Sequence, residues 1–236
     1  MSLVAAALFL ALATSAAGAP IRVDVYVPLC NGSQLACGKG GLGDPRSLDE
    51  NLYWGARYGA ERFLAKTARG FRVLDQTDAP SSSTPSLLRE VVLERPAGPG
   101  ERAVRLRLFA FAGDQIDDAV AAFFHAVDAP GDADVIVWSG HDRLMDVPAP
   151  SSPVHATSAR VVVLACESEQ FFGPALDARG AVKLAMTKTF MAPEAYLLEA
   201  LASSLAKGID VRPGLVDAYA KYQRISNKAA ATVFVH

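Results

Sequence analysis

Two uninterrupted apolar runs stand out in the second half of the chain. Residues 134–141 (DVIVWSGH) and residues 160–166 (RVVVLAC) are short and rich in β-branched side chains. Such runs are typical of strands that are buried on both faces of a parallel sheet. The first run ends at His141 and the second at Cys166. If the two strands are parallel neighbours, both side chains emerge at the carboxyl edge, where open α/β sheets place their sites.

The rest of the pattern mixes strands with helices. Turn-forming residues at 96–100 predict a hairpin. The segment 146–158 is too rich in proline for a crossover helix, so residues 142–146 are expected to supply a single turn. We predict an α/β fold with a mostly parallel central sheet flanked by helices on both faces, with an added hairpin as an option. Predicted strands are 21–27, 71–74, 90–94, 103–111, 181–187 and 232–235, and predicted helices are 48–66, 114–127, 167–178 (loosening at Gly173), 192–206 and 212–227.

Composition favours one domain and excludes one class of partner. The chain has 236 residues, of which 51% are hydrophobic, so residues 20–236 are expected to form a single α/β domain. The formal net charge is −2, with no block of basic residues. We therefore predict no nucleic-acid-binding face.

The first 19 residues are predicted to be a signal peptide. Residues 3–13 are apolar but too short to span a bilayer, and small residues follow them. Cleavage after Ala17 or after Ala19 fits this pattern, and an apolar first helix or strand is the alternative. Export implies a secreted or periplasmic protein, with no membrane span after removal of the signal.

The chain has three cysteines. In an oxidising compartment Cys30 and Cys37 either form a disulfide or remain two free thiols, and Cys166 is left as a reactive thiol or a partner for another chain. The spacing of Cys30 and Cys37 does not fit a metal site. The glycine-rich loop 30–45 lacks the closing lysine and serine or threonine of a phosphate-binding loop. We therefore predict no metal and no cofactor.

The residue types at the two strand ends suit nucleophilic catalysis. A free thiol has a pKa of about 8.5, so Cys166 needs a base such as the His141 imidazole to attack a carbonyl carbon. The amide of Cys166 and the amide of Gly140 or His141 are candidates for an oxyanion hole. The alternative is structural: a cysteine that packs as a small apolar side chain, and a histidine that serves as a hydrogen-bonded group. His125 and His155 are weaker catalytic candidates.

These residues resemble the caspase-like cysteine peptidases, a group that includes caspases, legumains, gingipains and clostripain. Members have one strand that ends in His-Gly and a later strand that ends in Ala-Cys, on a parallel α/β sheet. Residues 161–166 match the second element, and residues 135–141 match part of the first. The resemblance implies a peptidase that acts on peptide or protein substrates, with Cys166 as nucleophile and His141 as base or acid.

Two rival functions stay open. Gly140 precedes His141 here, whereas in the family a glycine follows the histidine, and this order favours a catalytically inactive domain that binds a peptide or protein partner. A glutaminase-like α/β hydrolase is the other alternative. Such enzymes place the cysteine in a tight turn from strand to helix with small flanking residues, and Glu167 and Glu169 beside Cys166 argue against that geometry.

The sequence leaves open whether the substrate residue before the cleaved bond is acidic or basic. Lys183 or Lys188, on the strand expected to follow the cysteine strand, favours an acidic residue before the cleaved bond. Asp142 or Asp146 favours a basic one. The sequence does not decide between these alternatives.

Overall fold

An eight-stranded sheet forms the centre of the protein. The computed structural model describes residues 18–79, 84–151 and 156–236. The strands are β1 (Ile21–Pro28), β2 (Arg72–Asp78), β3 (Leu87–Arg95), β4 (Val104–Phe111), β5 (Val135–Ser139), β6 (Arg160–Leu164), β7 (Val182–Thr187) and β8 (Phe234–Val235). Their order in the sheet is β2-β3-β4-β1-β5-β6-β7-β8. The strands from β4 to β7 in this order pair in parallel, whereas β2, β3 and β8 pair antiparallel with their neighbours. The predicted α/β class with a mostly parallel sheet is confirmed.

Helices cover the sheet on both sides. They are α1 (Ala60–Leu64), α2 (Ile116–Asp128), α3 (Ser168–Phe171), α4 (Gly173–Asp177), α5 (Tyr196–Lys207), α6 (Val211–Gln223) and α7 (Asn227–Ala231). Within the described ranges, no helix combines the length and the apolar character needed to cross a bilayer. The predicted signal peptide, 1–19, lies almost wholly outside the described residues and stays a prediction.

Side chains of β5 alternate between two hydrophobic cores. Val135 and Val137 pack with residues of α1, α5 and α6, whereas Ile136 and Trp138 pack with residues of α2 and α4. Successive side chains of a strand point to opposite faces, so each face of β5 needs apolar residues. This packing explains why the strand is an uninterrupted apolar run rather than an alternating one.

The connection from β5 to β6 contains little regular structure. A 3-10 helix, Arg143–Met145, follows β5, and the Asp142 side chain caps it by accepting the Leu144 N–H at 3.0 Å. No α-helix lies between the two strands in the described part of this connection, which omits residues 152–155. The predicted single turn is confirmed. The connection is long enough to return the chain for parallel pairing without a crossover helix.

The predicted hairpin is confirmed, because β3 and β4 pair antiparallel across the turn at 96–100. The long helix predicted over 48–66 is wrong, since regular α-helix covers only Ala60–Leu64 and turns precede it. A Cβ on Gly55 or on Gly59 would lie 2.3 Å from backbone atoms of the preceding turn. The chain folds back on itself there at distances that only glycine permits.

Cys30 and Cys37 form a disulfide, which confirms one of the two alternatives for this pair. The loop that they close is held to the body of the protein by Asn51, which is fully buried. Its Oδ1 accepts the N–H groups of Cys30 at 2.9 Å and Tyr53 at 3.1 Å. Its Nδ2 donates to the carbonyls of Cys30 at 2.8 Å and Asp44 at 2.7 Å. One amide side chain thus satisfies four backbone groups.

Asn51→Ala should therefore lower the free energy of unfolding by about 3 kcal/mol, because buried backbone groups lose their partners. Urea denaturation followed by circular dichroism measures the change. Asn227→Ala is the matched control, since Asn227 is exposed and its loss should change stability by less than about 0.5 kcal/mol. Equal effects of the two substitutions would contradict the role given to Asn51.

Candidate functional site

Strands β5 and β6 bring His141 and Cys166 to one edge of the sheet. The strands pair in parallel, with Ser139 opposite Leu164. The Gly140 N–H donates to the Leu164 carbonyl at 3.2 Å, so the pairing continues just past β5. His141 and Cys166 follow this pair by the same number of residues. Both residues therefore lie at the carboxyl edge of the parallel part of the sheet.

The glycine before His141 has a packing explanation. A Cβ on Gly140 would lie 2.7 Å from Pro28 Cγ and 2.9 Å from Pro28 Cδ. Pro28 is the last residue of β1, the neighbour of β5 on the side away from β6. The order Gly140-His141 thus follows from close contact between two strand ends, which a larger side chain would disrupt.

The His141 ring binds an acid of the turn that follows it. Nε2 of His141 lies 3.3 Å from Oδ2 of Asp146, and the His141 carbonyl accepts Nε1–H of Trp138 at 3.0 Å. In the part of the chain that the structure describes, no hydrogen bond joins the ring to the Cys166 thiol. The two side chains share an edge but have different partners.

The Cys166 thiol is held by the backbone of Met191. Its Sγ accepts the Met191 N–H at 3.5 Å and donates to the Met191 carbonyl at 3.6 Å. Burial raises the pKa of the half-buried thiol, the Met191 N–H opposes this shift, and the charges of Asp142 and Glu167 raise the pKa further. Without a ligand, Cys166 is therefore a thiol and not a thiolate at neutral pH.

The chain turns sharply after Cys166. Glu167 has a left-handed backbone with φ of +49°, and α3 begins at the next residue. The Glu167 N–H donates to the Thr189 carbonyl at 3.0 Å, which ties the turn to the loop 188–195 between β7 and α5. A tight turn from strand to helix thus follows Cys166 despite the acids beside it, but the left-handed residue is Glu167 and not Cys166. A single non-glycine residue can adopt this conformation when hydrogen bonds hold it.

Asp142 is the most unusual polar group at this edge. Its side chain is fully buried, and although Oδ1 accepts the Leu144 N–H at 3.0 Å, Oδ2 has no hydrogen-bond partner. Burial raises the pKa of Asp142 to about 7, the N–H groups of Leu144 and Met145 oppose the shift, and Asp146 and Glu167 add to it. At neutral pH the carboxyl is divided between its protonated and ionised forms. The sequence indicated Asp142 only as a candidate for substrate preference.

Two tyrosines and another acid complete the surroundings of the thiol. Burial raises the pKa of Tyr53 and of Tyr219, and the charges of ionised Cys166 and of Glu194 raise both further. The two phenols therefore stay neutral. Sequence reasoning missed both tyrosines as site residues, because the pattern around Tyr53 is that of an ordinary apolar helix face and no motif marks Tyr219.

The predicted oxyanion-binding amides are at the same edge. The Gly140 N–H already donates to the Leu164 carbonyl, so its use by a substrate would require this bond to break. The Cys166 amide lies two residues past the end of β6, on the residue whose thiol would attack. Both assignments stay predictions.

Other candidate residues lie apart from the thiol. His125 is exposed on α2, and His155 lies outside the described residues. The Lys183 ammonium is held by Glu169 of α3 at 3.3 Å and by Asp177 of α4 at 2.9 Å. Residues near these two acids in the chain, Phe172 and Leu176, pack in the core on one face of the sheet. Met191, which holds the thiol, packs in the core on the other face, with α5 and α6. Lys183 is thus engaged on the opposite face of the sheet.

The most prominent cavity is not at the ends of β5 and β6 where His141 and Cys166 lie. A cavity of about 540 Å³ lies at the opposite edge, where Ile21 begins β1 and Arg160 begins β6, and Arg102 and Lys207 also line it. In the described ranges, no three histidine, cysteine or acidic side chains are grouped to hold a metal ion. The candidate site is therefore identified by the chemistry of its side chains.

No protein-family model, curated protein or solved structure matches this chain.

Proposed function

We propose that the protein is an exported, caspase-like cysteine hydrolase, a peptidase that uses Cys166 as nucleophile and His141 as base and acid. The observation that carries this proposal is the parallel pairing of β5 and β6, which brings both residues to one sheet edge. The resemblance of the two strand ends to those of caspase-like peptidases supports the same function. The Cys30–Cys37 disulfide is compatible with the predicted export.

In the proposed reaction, the His141 imidazole takes the thiol proton, and the Cys166 sulfur attacks the carbonyl carbon of the scissile bond. The amine leaves with the proton from the imidazole, and water then hydrolyses the thioester with His141 again as base. Asp146, which binds Nε2 of His141, would orient the ring and leave Nδ1 to exchange protons. His141 would need to approach the thiol when substrate binds, as catalytic pairs often do.

The alternative is a catalytically inactive domain of the same fold that binds a peptide or protein partner at this edge. Two observations favour it. Met191 occupies both hydrogen-bonding positions of the thiol, and burial with two nearby acids raises the pKa of Cys166. A binding domain needs neither a thiolate nor contact between the thiol and an imidazole.

These functions are distinguished by hydrolysis of a fluorogenic peptide library. The proteins compared are the wild type and the variants Cys166→Ala, His141→Ala and His125→Ala. Cys166→Ala should abolish cleavage, and His141→Ala should lower kcat by about 10²- to 10⁴-fold, because the proton acceptor is lost. His125→Ala is the matched control: its histidine is exposed on α2 and its activity should equal that of the wild type.

Iodoacetamide labelling is measured on the same proteins, and Cys166 is the free cysteine that it can modify. The peptidase proposal expects Cys166 to be labelled in the folded wild type, which also cleaves peptides. No cleavage by a wild type in which Cys166 is labelled would support the inactive binding domain instead.

A further inference from the structure

We propose that the space beside Cys166 binds a cationic group, an ammonium or guanidinium such as that of a lysine or arginine side chain, which pairs in charge with the Asp142 carboxylate. For a peptidase this names the substrate class, a peptide with a basic residue next to the cleaved bond, and to that extent the inference rests on the proposed function. The cation site itself does not require that the thiol be catalytic.

The first observation is the sign of the charges around the thiol. Asp142 and Glu167 act directly on the ionisation of Cys166, and Glu194 acts on the two tyrosines beside it. All three are acids. A ligand with a carboxylate would meet repulsion from each of them, whereas a cation would be attracted.

The second observation, independent of the first, is the unpartnered oxygen of Asp142. Oδ1 accepts the Leu144 N–H, but Oδ2 is buried with no hydrogen-bond partner. A buried carboxylate oxygen is normally paired with a donor or a positive charge. Because charges act over several ångströms in a medium of low dielectric, a cation beside the thiol compensates Asp142 without having to touch it.

The aromatic residues suit the same ligand. Tyr53 and Tyr219 lie close enough to Cys166 for its charge to raise the pKa of each, and both remain neutral phenols. Aromatic faces and carboxylates together are a recurrent environment for ammonium and guanidinium groups. Of the candidates for substrate preference, Asp142 therefore acts on the charge of the thiol, whereas Lys183 is engaged by Glu169 and Asp177.

Binding of a cation would also activate the thiol. The resting site disfavours the thiolate, because its charged neighbours are negative. A positive charge brought by the ligand offsets Asp142 and Glu167 and lowers the pKa of Cys166. The nucleophile would then form when a basic group is in place, and a neutral or acidic ligand would leave the thiol protonated.

The test uses two small thiol reagents of opposite charge, 2-aminoethyl methanethiosulfonate and 2-sulfonatoethyl methanethiosulfonate. Their rates with the folded protein are compared at pH 8.5 and low salt, with N-acetylcysteinamide as the reference thiol. Cys30 and Cys37 are bonded, so modification reports on Cys166. The ratio of cationic to anionic rates should exceed that of the reference thiol by about 10-fold or more.

Asp142→Asn should reduce this ratio by about 5-fold or more, whereas Asp75→Asn, the removal of an exposed acid on the edge strand β2, should leave it within about two-fold. In the wild type, and in His141→Ala, which removes the neighbouring imidazole, the ratio should also fall below pH 7, since the pKa of Asp142 is about 7. This measurement keeps the test decisive if Asp142→Asn fails to fold.

A wild-type ratio no greater than that of the reference thiol would overturn the proposal, and Asp142 would then be a carboxyl that only binds a proton. A ratio unchanged by Asp142→Asn and by pH would overturn it as well. Charge selectivity without peptide hydrolysis would retain the cation site and reject the peptidase. Hydrolysis without charge selectivity would retain the peptidase and reject the cation site.

Discussion

Phe172→Ala should lower the free energy of unfolding by about 3–5 kcal/mol, the largest effect that we expect from a single substitution in this protein. Phe172 is fully buried beneath the sheet. Its ring contacts those of Phe123, Phe124 and Trp138, with centroids 5.6–5.9 Å apart. Alanine leaves a cavity that this rigid cluster cannot fill, so the lost transfer free energy and the cavity both contribute.

Phe190→Ala is the matched control for this substitution. Phe190 is 71% exposed on the loop that also carries Met191. The same chemical change should therefore alter stability by less than about 0.5 kcal/mol. Urea denaturation of both variants gives the two values, and a similar loss in each would show that the aromatic cluster packs less tightly than the structure indicates.

The second large effect is a dependence of stability on pH through Asp142. Its pKa is about 7 in the folded protein, above the ordinary value of 3.8, so the folded state keeps a proton that the unfolded state releases. The contribution of this carboxyl to stability is therefore complete below pH 3.8 and is lost as the pH rises through about 7. The difference between the two pKa values corresponds to at most about 4 kcal/mol.

Asp142→Asn should remove this loss. The difference in the free energy of unfolding between the variant and the wild type should grow in favour of the variant from pH 4 to pH 8 and reach about 2–4 kcal/mol. Asp75→Asn, which removes an exposed carboxyl of the edge strand β2, should show no such trend. A constant difference across this range for Asp142→Asn would contradict the raised pKa. Comparison of each variant with the wild type cancels the other carboxyls that titrate.

Asp142 connects the stability of the domain with its proposed activity. The buried carboxylate lowers the stability of the fold at neutral pH. Such a loss is common at binding sites, where a ligand offsets the charge and the rest of the fold supplies the stability. The same charge raises the pKa of Cys166 and, in our proposal, attracts the cation that offsets it. Stability, thiol reactivity and ligand preference should thus change together in Asp142→Asn.

Several features of this site could be predicted from the sequence and others could not. The apolar runs before His141 and Cys166 predicted buried parallel strands, since a strand covered on both faces needs apolar side chains throughout. The partners of the thiol had no such local signal. Met191 binds the thiol, and the charge of Cys166 acts on Tyr53 and Tyr219, yet all three belong to distant segments and nothing in their own neighbours marks them as site residues.

The helix predicted over 48–66 is a second feature that the sequence alone could not decide. Its apolar spacing indicated a helix, but close backbone contacts at Gly55 and the four hydrogen bonds of Asn51 hold most of the segment in turns. Local propensity is a weak preference, and tertiary contacts override it.

The sequence by itself determined the α/β class and the two apolar strands that end at His141 and Cys166, because side-chain periodicity records which faces of a strand are buried. Only the tertiary structure decided which groups surround the thiol, that Asp142 is buried with one oxygen unpaired, and that His141 binds Asp146 instead of Cys166. Those features depend on distances between segments remote in the chain, and burial and charge act through such distances rather than through sequence order.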